Sequence, residues 1–250
     1  MAIDLKAMRA KLDAVKNKGG KIWKPKMDSV TKVRLLPMPG DGDPFVEKHF
    51  HYNLGNVSVL CPKRNFDEAC PVCEFASALW NAGDDDSQAM AKKLFARQRF
   101  YSPLILREEK EPTVKVWGYS QTVYEKLLSK VLNPEFGDIT DPETGTDFEI
   151  TYEKSAGKLY PDTELEFSRS ASTLKGSFTK TKVSEILDSI PDFDTLYDRK
   201  TTAEVQAILD SYLDNEESAP DSEGEGTSKF ASTEETSVDG ALDDLKSAKK

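Results

Sequence analysis

Apolar residues recur along this chain at more than one spacing. Leu5, Met8, Leu12 and Val15 stand three or four apart, the spacing of one helical face, and predict a short amphipathic helix over Ile3–Val15 that stops at Gly19-Gly20. A helix this short is marginal alone, so its apolar stripe calls for a partner surface. From Ser29 to Pro37 the pattern changes, with β-branched Val30 and Val33 in an apolar run that halts at proline, as a strand does. Phe45–Tyr52 and Val57–Leu60 flank the turn-rich tetrad Asn53-Leu54-Gly55-Asn56, which predicts a hairpin.

Residues 67–97 read as helical, broken near Gly83 and the run Asp84-Asp85-Asp86. Strands are predicted over Arg99–Leu106 and Thr113–Tyr119, a helix over Gln121–Leu132, and strands around Asp147–Glu153 and Thr163–Phe167. Two more helices follow, Val183–Ser189 and Thr201–Leu213. Short strands interrupted by isolated helices, with no βαβ rhythm, predict an α+β, mainly β chain built on a small Greek-key barrel with insertions. From Asn215 to Asp239 apolar residues are scarce and Glu, Ser, Thr and Gly dominate. Such a segment cannot bury enough surface to fold and predicts a disordered acidic tail. The expected organisation is a basic N-terminal helix over 1–20, a core over 21–214 and the tail over 215–250.

A chain of 250 residues supports one sizeable core with appendages. With 38% hydrophobic and 31% charged residues, it has the balance of a soluble protein rather than of a disordered or membrane one. No stretch approaches the roughly 18 uninterrupted apolar residues of a spanning helix, and Met1-Ala2-Ile3-Asp4-Leu5-Lys6 has no signal-type apolar segment, so no membrane role and a cytoplasmic location are expected. The net charge of −10 argues at first against nucleic acid, but it hides an uneven distribution. Met1–Lys32 holds nine basic and three acidic residues, an excess of six positive charges, whereas Leu213–Lys250 holds eleven acidic and four basic residues, an excess of seven negative ones. Head and tail are electrostatic tools of opposite sign.

Three cysteines are an odd number, and in a reducing compartment metal binding or simple burial is expected before disulfides. The constellation is His49-Phe50-His51, then Cys61-Pro62, then Cys70-Pro71-Val72-Cys73. Two thiolates two residues apart grip one ion from a tight turn, and Zn²⁺ completes its tetrahedron with a further Cys and a His. Residues 49 and 51 lie two apart on one strand, so spacing alone does not choose between them. An odd-residue loop sets His51 opposite Val59, two residues from Cys61, and an even one favours His49; His51 is the preferred ligand, with Cys61, Cys70 and Cys73. Four protein ligands close the site and make it structural. A thioredoxin-type redox pair would lack a βαβ context and leave Cys61 unexplained. A zinc deaminase would need a glutamate two residues after its ligand histidine, where this chain has His51 or Asn53. The zinc-bearing subdomain is expected over about 49–98.

Lys92-Lys93, Arg97 and Arg99 run into Phe100-Tyr101, and Lys115-Val116-Trp117-Gly118-Tyr119 follows one strand later. Single-strand binding needs cations along the phosphates and flat rings on which bases stack. On a strand Trp117 and Tyr119 share a face, which is compatible with a stacking platform and equally with core packing. Here the sequence resembles the single-stranded-DNA-binding replication proteins of T-even and related tailed bacteriophages. The likeness runs through Gly20-Lys21-Ile22-Trp23-Lys24, Val33-Arg34-Leu35-Leu36-Pro37, the His and three-Cys knuckle, Arg97-Gln98-Arg99-Phe100-Tyr101, Lys115 to Tyr119, Tyr124-Glu125-Lys126-Leu127 and Gly157-Lys158-Leu159-Tyr160. The resemblance implies an OB-fold core with a zinc subdomain and a basic, aromatic DNA cleft between them. It carries DNA contact to Arg97, Arg99, Phe100, Tyr101, Trp117, Tyr119 and Tyr160. It further implies self-association along the strand through the basic head, recruitment of replication and recombination proteins by the acidic tail, and work in the cytoplasm of an infected bacterium.

Three functions compete on the sequence: a sequence-independent single-strand binder, a zinc-dependent enzyme of nucleic-acid metabolism, and a protein-only adaptor. With two histidines in all, little remains for a catalytic cluster beyond a structural site. An adaptor has no need of Arg97, Arg99 and neighbouring aromatics. The single-strand binder is the expected function.

Overall fold

The computed structural model describes residues 22–55, 57–155, 160–174 and 178–217. The expected N-terminal helix and everything after residue 217 lie outside the described residues. The chain forms two compact units, one of residues up to Lys48 together with Gln98–Tyr197, the other of His49–Arg97 together with the residues from Asp198 on.

The first unit is built on a mixed sheet whose strands are β1 (Ile22–Trp23), β2 (Ser29–Leu35), β5 (Arg97–Leu106), β6 (Lys115–Tyr119), β7 (Phe148–Glu153) and β8 (Asp162–Phe167), in spatial order β1-β6-β5-β2-β7-β8. β1 runs parallel to β6, and the other neighbours are antiparallel. β7 shows the period of two that a half-buried strand requires: Phe148 and Ile150 are buried while Glu149 is exposed. Phe148 stacks on Phe167 of β8 with ring centroids 4.9 Å apart. β5 has no polar face from Phe100 to Ile105, because both of its sides are covered. Leu104 joins the main core with Val33, Leu35, Trp117 and Phe148, where helix α4 (Gln121–Val131) adds Val123 and Leu127 at a four-residue spacing. Ile105 points the other way, into a second cluster with Leu36, Leu174 and, from helix α5 (Lys180–Asp188), Val183 and Ile186.

Arg34 lies between Val33 and Leu35 and is fully buried. Its guanidinium donates to Asp147 Oδ1 (3.3 Å), Ser172 Oγ (2.8 Å) and the carbonyl oxygen of Asp141 (2.5 Å). Arg107 Nε donates to the same Asp147 oxygen at 2.9 Å. Burial pushes the Arg34 guanidinium below its ordinary pKa, and Asp147 opposes the shift. One carboxylate thus serves two cations withdrawn from water.

Strand β3 (Val46–Leu54) enters the second unit at His49 and forms a hairpin with β4 (Val57–Leu60). β3 continues to Leu54, further than the sequence pattern predicts. A register shift between His51 and Leu54 absorbs the extra length, with Asn53 at φ +63°. Helices α1 (Pro62–Phe66), α2 (Pro71–Ala82) and α3 (Asp85–Leu94) follow. The predicted break falls where it should: Gly83 takes φ +85° to end α2, and Asp84 accepts the Ser87 N–H at 2.8 Å to start α3. Val72, Ala76 and Leu79 form the buried stripe of α2. They pack with Leu54, Val59, Ala91 and Leu94, and with Val205 and Leu209 from helix α6 (Thr202–Glu217). Helix α6 therefore belongs to this unit's core, a long-range assignment no local pattern announces. It also runs through Asn215–Glu217, which the sequence pattern had placed in the tail. Arg199, just ahead of α6, pairs with Glu68 and lies 4.2 Å from the centroid of the Phe66 ring.

Candidate metal centre and nucleic-acid interface

The hairpin register pairs His51 with Val59. Two residues beyond Val59, the Cys61 N–H still bonds the His49 carbonyl oxygen at 2.9 Å, so the ladder delivers Cys61 beside β3. Cys61 is then the N-cap of α1, its sulfur accepting the Arg64 N–H at 3.4 Å. Cys70 is the N-cap of α2, where Pro71 supplies the φ that the first helical turn wants. Cys73 comes three residues on, nearly one turn, so both sulfurs face the same side.

His51, Cys61, Cys70 and Cys73 converge, with ligand atoms all within 4.8 Å of one another. His51 Nε2 lies 3.2 Å from Cys70 Sγ and 3.5 Å from Cys73 Sγ, and Cys61 and Cys73 sulfurs are 3.5 Å apart. A tetrahedral Zn²⁺ with its usual bond lengths needs S···S separations of about 3.8 Å and S···N separations of about 3.6 Å, so these three separations fit the ion to within a few tenths of an ångström, and the widest in the set, up to 4.8 Å, closes by about 1 Å when the ion binds. The other ring nitrogen, Nδ1, sits 2.8 Å from the Leu94 carbonyl oxygen. That bond fixes the proton on Nδ1 and leaves the Nε2 lone pair for a metal. Burial alone would lower the His51 pKa, but hydrogen bonds that the charged ring donates to the Cys61 and Cys70 sulfurs outweigh it and push the pKa up to about 10, so a metal at Nε2 would take the place of that second proton. His49 is outside the cluster. Two residues along a strand is about 6.6 Å, and its main chain serves instead, accepting from Asn65 Nδ2 at 2.7 Å.

The residues expected to touch DNA divide sharply. Arg97 and Arg99 are exposed, two apart on β5. Tyr160 is 76% exposed. Phe100, Tyr101, Trp117 and Tyr119 are buried, at 1–5% exposure. Phe100 stacks on Tyr124 with centroids 4.0 Å apart, and Trp117 and Tyr119 do share a face, at 4.5 Å, but that face is the core. Tyr119 bonds Ser102 Oγ at 2.7 Å, and its burial drives the phenol pKa upward. Tyr101 accepts from the Tyr197 hydroxyl at 2.8 Å and lies over Gly118, where an added Cβ would come within 2.8 Å of the ring. These four rings are core residues in this conformation, and base stacking would require uncovering them.

One aromatic the sequence reading passed over is placed differently. Trp80 of α2 is 41% exposed, with Lys92 Nζ 5.6 Å from its ring centroid and Phe95 edge-on at 6.0 Å. Its signal lay in the helical phase. Trp80 falls at the margin of the Val72–Ala76–Leu79 stripe, where a ring is half covered and half wet.

The gp32 DNA binding protein like family model matches residues 27–212. A search of curated proteins gives no match. The matched stretch is about three-quarters of the chain and takes in His51, the three cysteines, Arg97 and Arg99; the chain belongs to the gp32-like family of DNA-binding proteins, the single-stranded-DNA-binding family its sequence resembles.

Proposed function

We propose that this protein coats single-stranded DNA without sequence preference and without catalysis, protecting it during replication, recombination and repair in the cytoplasm of a phage-infected bacterium. The family match carries the reading. Exposed Arg97 and Arg99 support it, because solvent-facing guanidinium groups two apart on a strand suit successive phosphates. Trp80 with Lys92, and the exposed Tyr160, are the rings available for bases. Phe100 and Tyr101 anchor β5, the strand that carries Arg97 and Arg99, and Trp117 and Tyr119 anchor its neighbour β6. We read the sheet as an OB-type core. The four-ligand cluster is assigned one Zn²⁺, held by His51, Cys61, Cys70 and Cys73, whose chemistry is to cross-link the hairpin to α2; with four protein ligands it leaves no place for substrate. The basic segment 1–20 serves self-association along DNA, and the acidic segment beyond residue 217 serves replication and recombination partners.

Fluorescence titration with oligo-dT and with duplex DNA at two salt concentrations tests the reading. Preferential, salt-weakened binding of oligo-dT is expected. Equal affinity for the duplex, or none for either, would overturn it.

A further inference from the structure

The first unit holds an open groove of about 670 Å³ that the DNA reading does not use. It lies along β1 and the start of β6, with Ile22, Lys24 and Lys115 on one side and Pro191 and Leu196 on the other. No acidic side chain lines it. Asp194, two residues before Leu196, is turned to Lys48 at 2.5 Å. Lys115 is held by Glu109 at 3.0 Å, whereas the exposed Lys24 has no ion pair among the described residues. One uncommitted cation beside half-apolar walls suits a nucleotide. Its flat base leaves water against Ile22, Pro191 and Leu196, and its phosphate meets the ammonium.

The groove also continues a path that begins at Arg99. Phe100 and Leu104 face the main core, so Arg99, one residue out of phase, points to the opposite side of β5, the side of Ile105. The groove lies on that side as well. Val114 in its lining packs on the Ile105 cluster. Ile22, also in its lining, comes within 3.2 Å of where a Cβ on Gly118 would sit, and Gly118 is out of phase with the core-facing Trp117 and Tyr119. The register Ser102 to Trp117 to Trp23 places Trp23 two strands across and three residues along from Arg99, roughly 14 Å in the plane of the sheet. Four stacked nucleotides at about 3.4 Å each cover that distance, and an extended strand needs fewer. We propose that the groove along β1 and β6 is a further subsite for single-stranded DNA, seating a base against Ile22, Pro191 and Leu196 with the adjoining phosphate on Lys24. The subsite rests on the DNA-binding function proposed above and extends it from Arg99 across the sheet.

The experiment uses the full-length chain and oligo-dT of about 16 nucleotides, the upper end of an OB-fold site, with one thymine at a varied position replaced by a diazirine-bearing base. Irradiation at saturation, followed by peptide mapping, should place an adduct within residues 22–24, 113–116 or 189–196 for at least one position. Lys24→Ala changes an exposed side chain, so misfolding does not confuse the result. It should shallow the dependence of log K on log salt by about 0.7, the share of one phosphate on a single strand, and Lys24→Arg should restore the slope. Adducts confined to other residues, or an unchanged slope in Lys24→Ala, would overturn the subsite. Poly-glutamate carrying the same diazirine tests the other chemistry a cationic groove can take. Labelling of the groove by that peptide and not by DNA would make it a protein-docking site instead. A parent chain that binds no oligo-dT would overturn the DNA-binding function itself, an outcome distinct from binding without a groove adduct.

Discussion

His51 Nδ1 lies 2.8 Å from the carbonyl oxygen of Leu94, so the end of α3 decides which nitrogen of the imidazole meets the sulfurs. Leu94 is the last residue of that helix, where carbonyl groups have no intrahelical partner. One bond therefore satisfies an orphan helix carbonyl and orients a metal ligand. It ties β3 to α3 as the sulfurs tie β4 to α2.

The purified protein should contain about one Zn²⁺ per chain, and chelation should lower its melting temperature, because metal affinity is coupled to folding. His51→Ala and Cys73→Ser should each lose the metal, whereas His49→Ala should retain it. Metal analysis with thermal melts checks this. A metal-free protein that melts at the same temperature would dismiss the centre.

Asp147→Asn should destabilise the first unit by about 3–5 kcal/mol, since it leaves Arg34 and Arg107 in a buried site with no carboxylate between them. Urea denaturation measures the loss. A change below about 1 kcal/mol would mean that the two guanidinium groups find water or other partners once the charge is gone.

The metal set was legible in the sequence because it is local. One hairpin and one Cys-x-x-Cys turn bring all four ligands together, and the register His51 to Val59 chooses between two histidines that spacing alone leaves equal. The strands from β5 to β8 and the break at Gly83 were legible for the same reason. What could not be read was which face of a strand meets which neighbour. Trp117 and Tyr119 share a face, as a period of two demands, but only the packing of α4 and β7 shows that the face is interior. Val205 and Leu209 of α6 join a core begun more than a hundred residues earlier, and no sequence window contains both partners.

Trp117→Ala should lower stability by about 3–5 kcal/mol, the cost of a cavity in a close-packed core. Its effect on DNA affinity should appear only where the protein begins to unfold. Trp80→Ala should do the reverse, costing about 1–3 kcal/mol of binding to oligo-dT through a lost stacking surface with little change in melting temperature. Parallel melts and titrations of the two variants separate the roles. If Trp117→Ala weakens binding while the fold is intact, the β6 rings are uncovered when DNA binds.

Arg97 and Arg99 give the most specific electrostatic prediction. Each phosphate neutralised on a single strand releases counterions, and log K falls with log salt by a slope of about 0.7 per contact. Arg99→Ala should therefore shallow the slope by about 0.7, and the Arg97→Ala, Arg99→Ala double variant by about 1.4, if each guanidinium meets one phosphate. Both residues are exposed, so neither change should disturb the core. A phosphate contact carries no base information, so affinity for oligo-dT and for a mixed-sequence strand should fall by the same factor. At high salt the variants and the parent should converge, because the interaction removed is the one that salt suppresses. Titrations at four or more salt concentrations with both oligonucleotides give slope and sequence dependence together. An affinity loss of equal size at every salt concentration, with the slope unchanged, would mean that the arginines act through something other than phosphate.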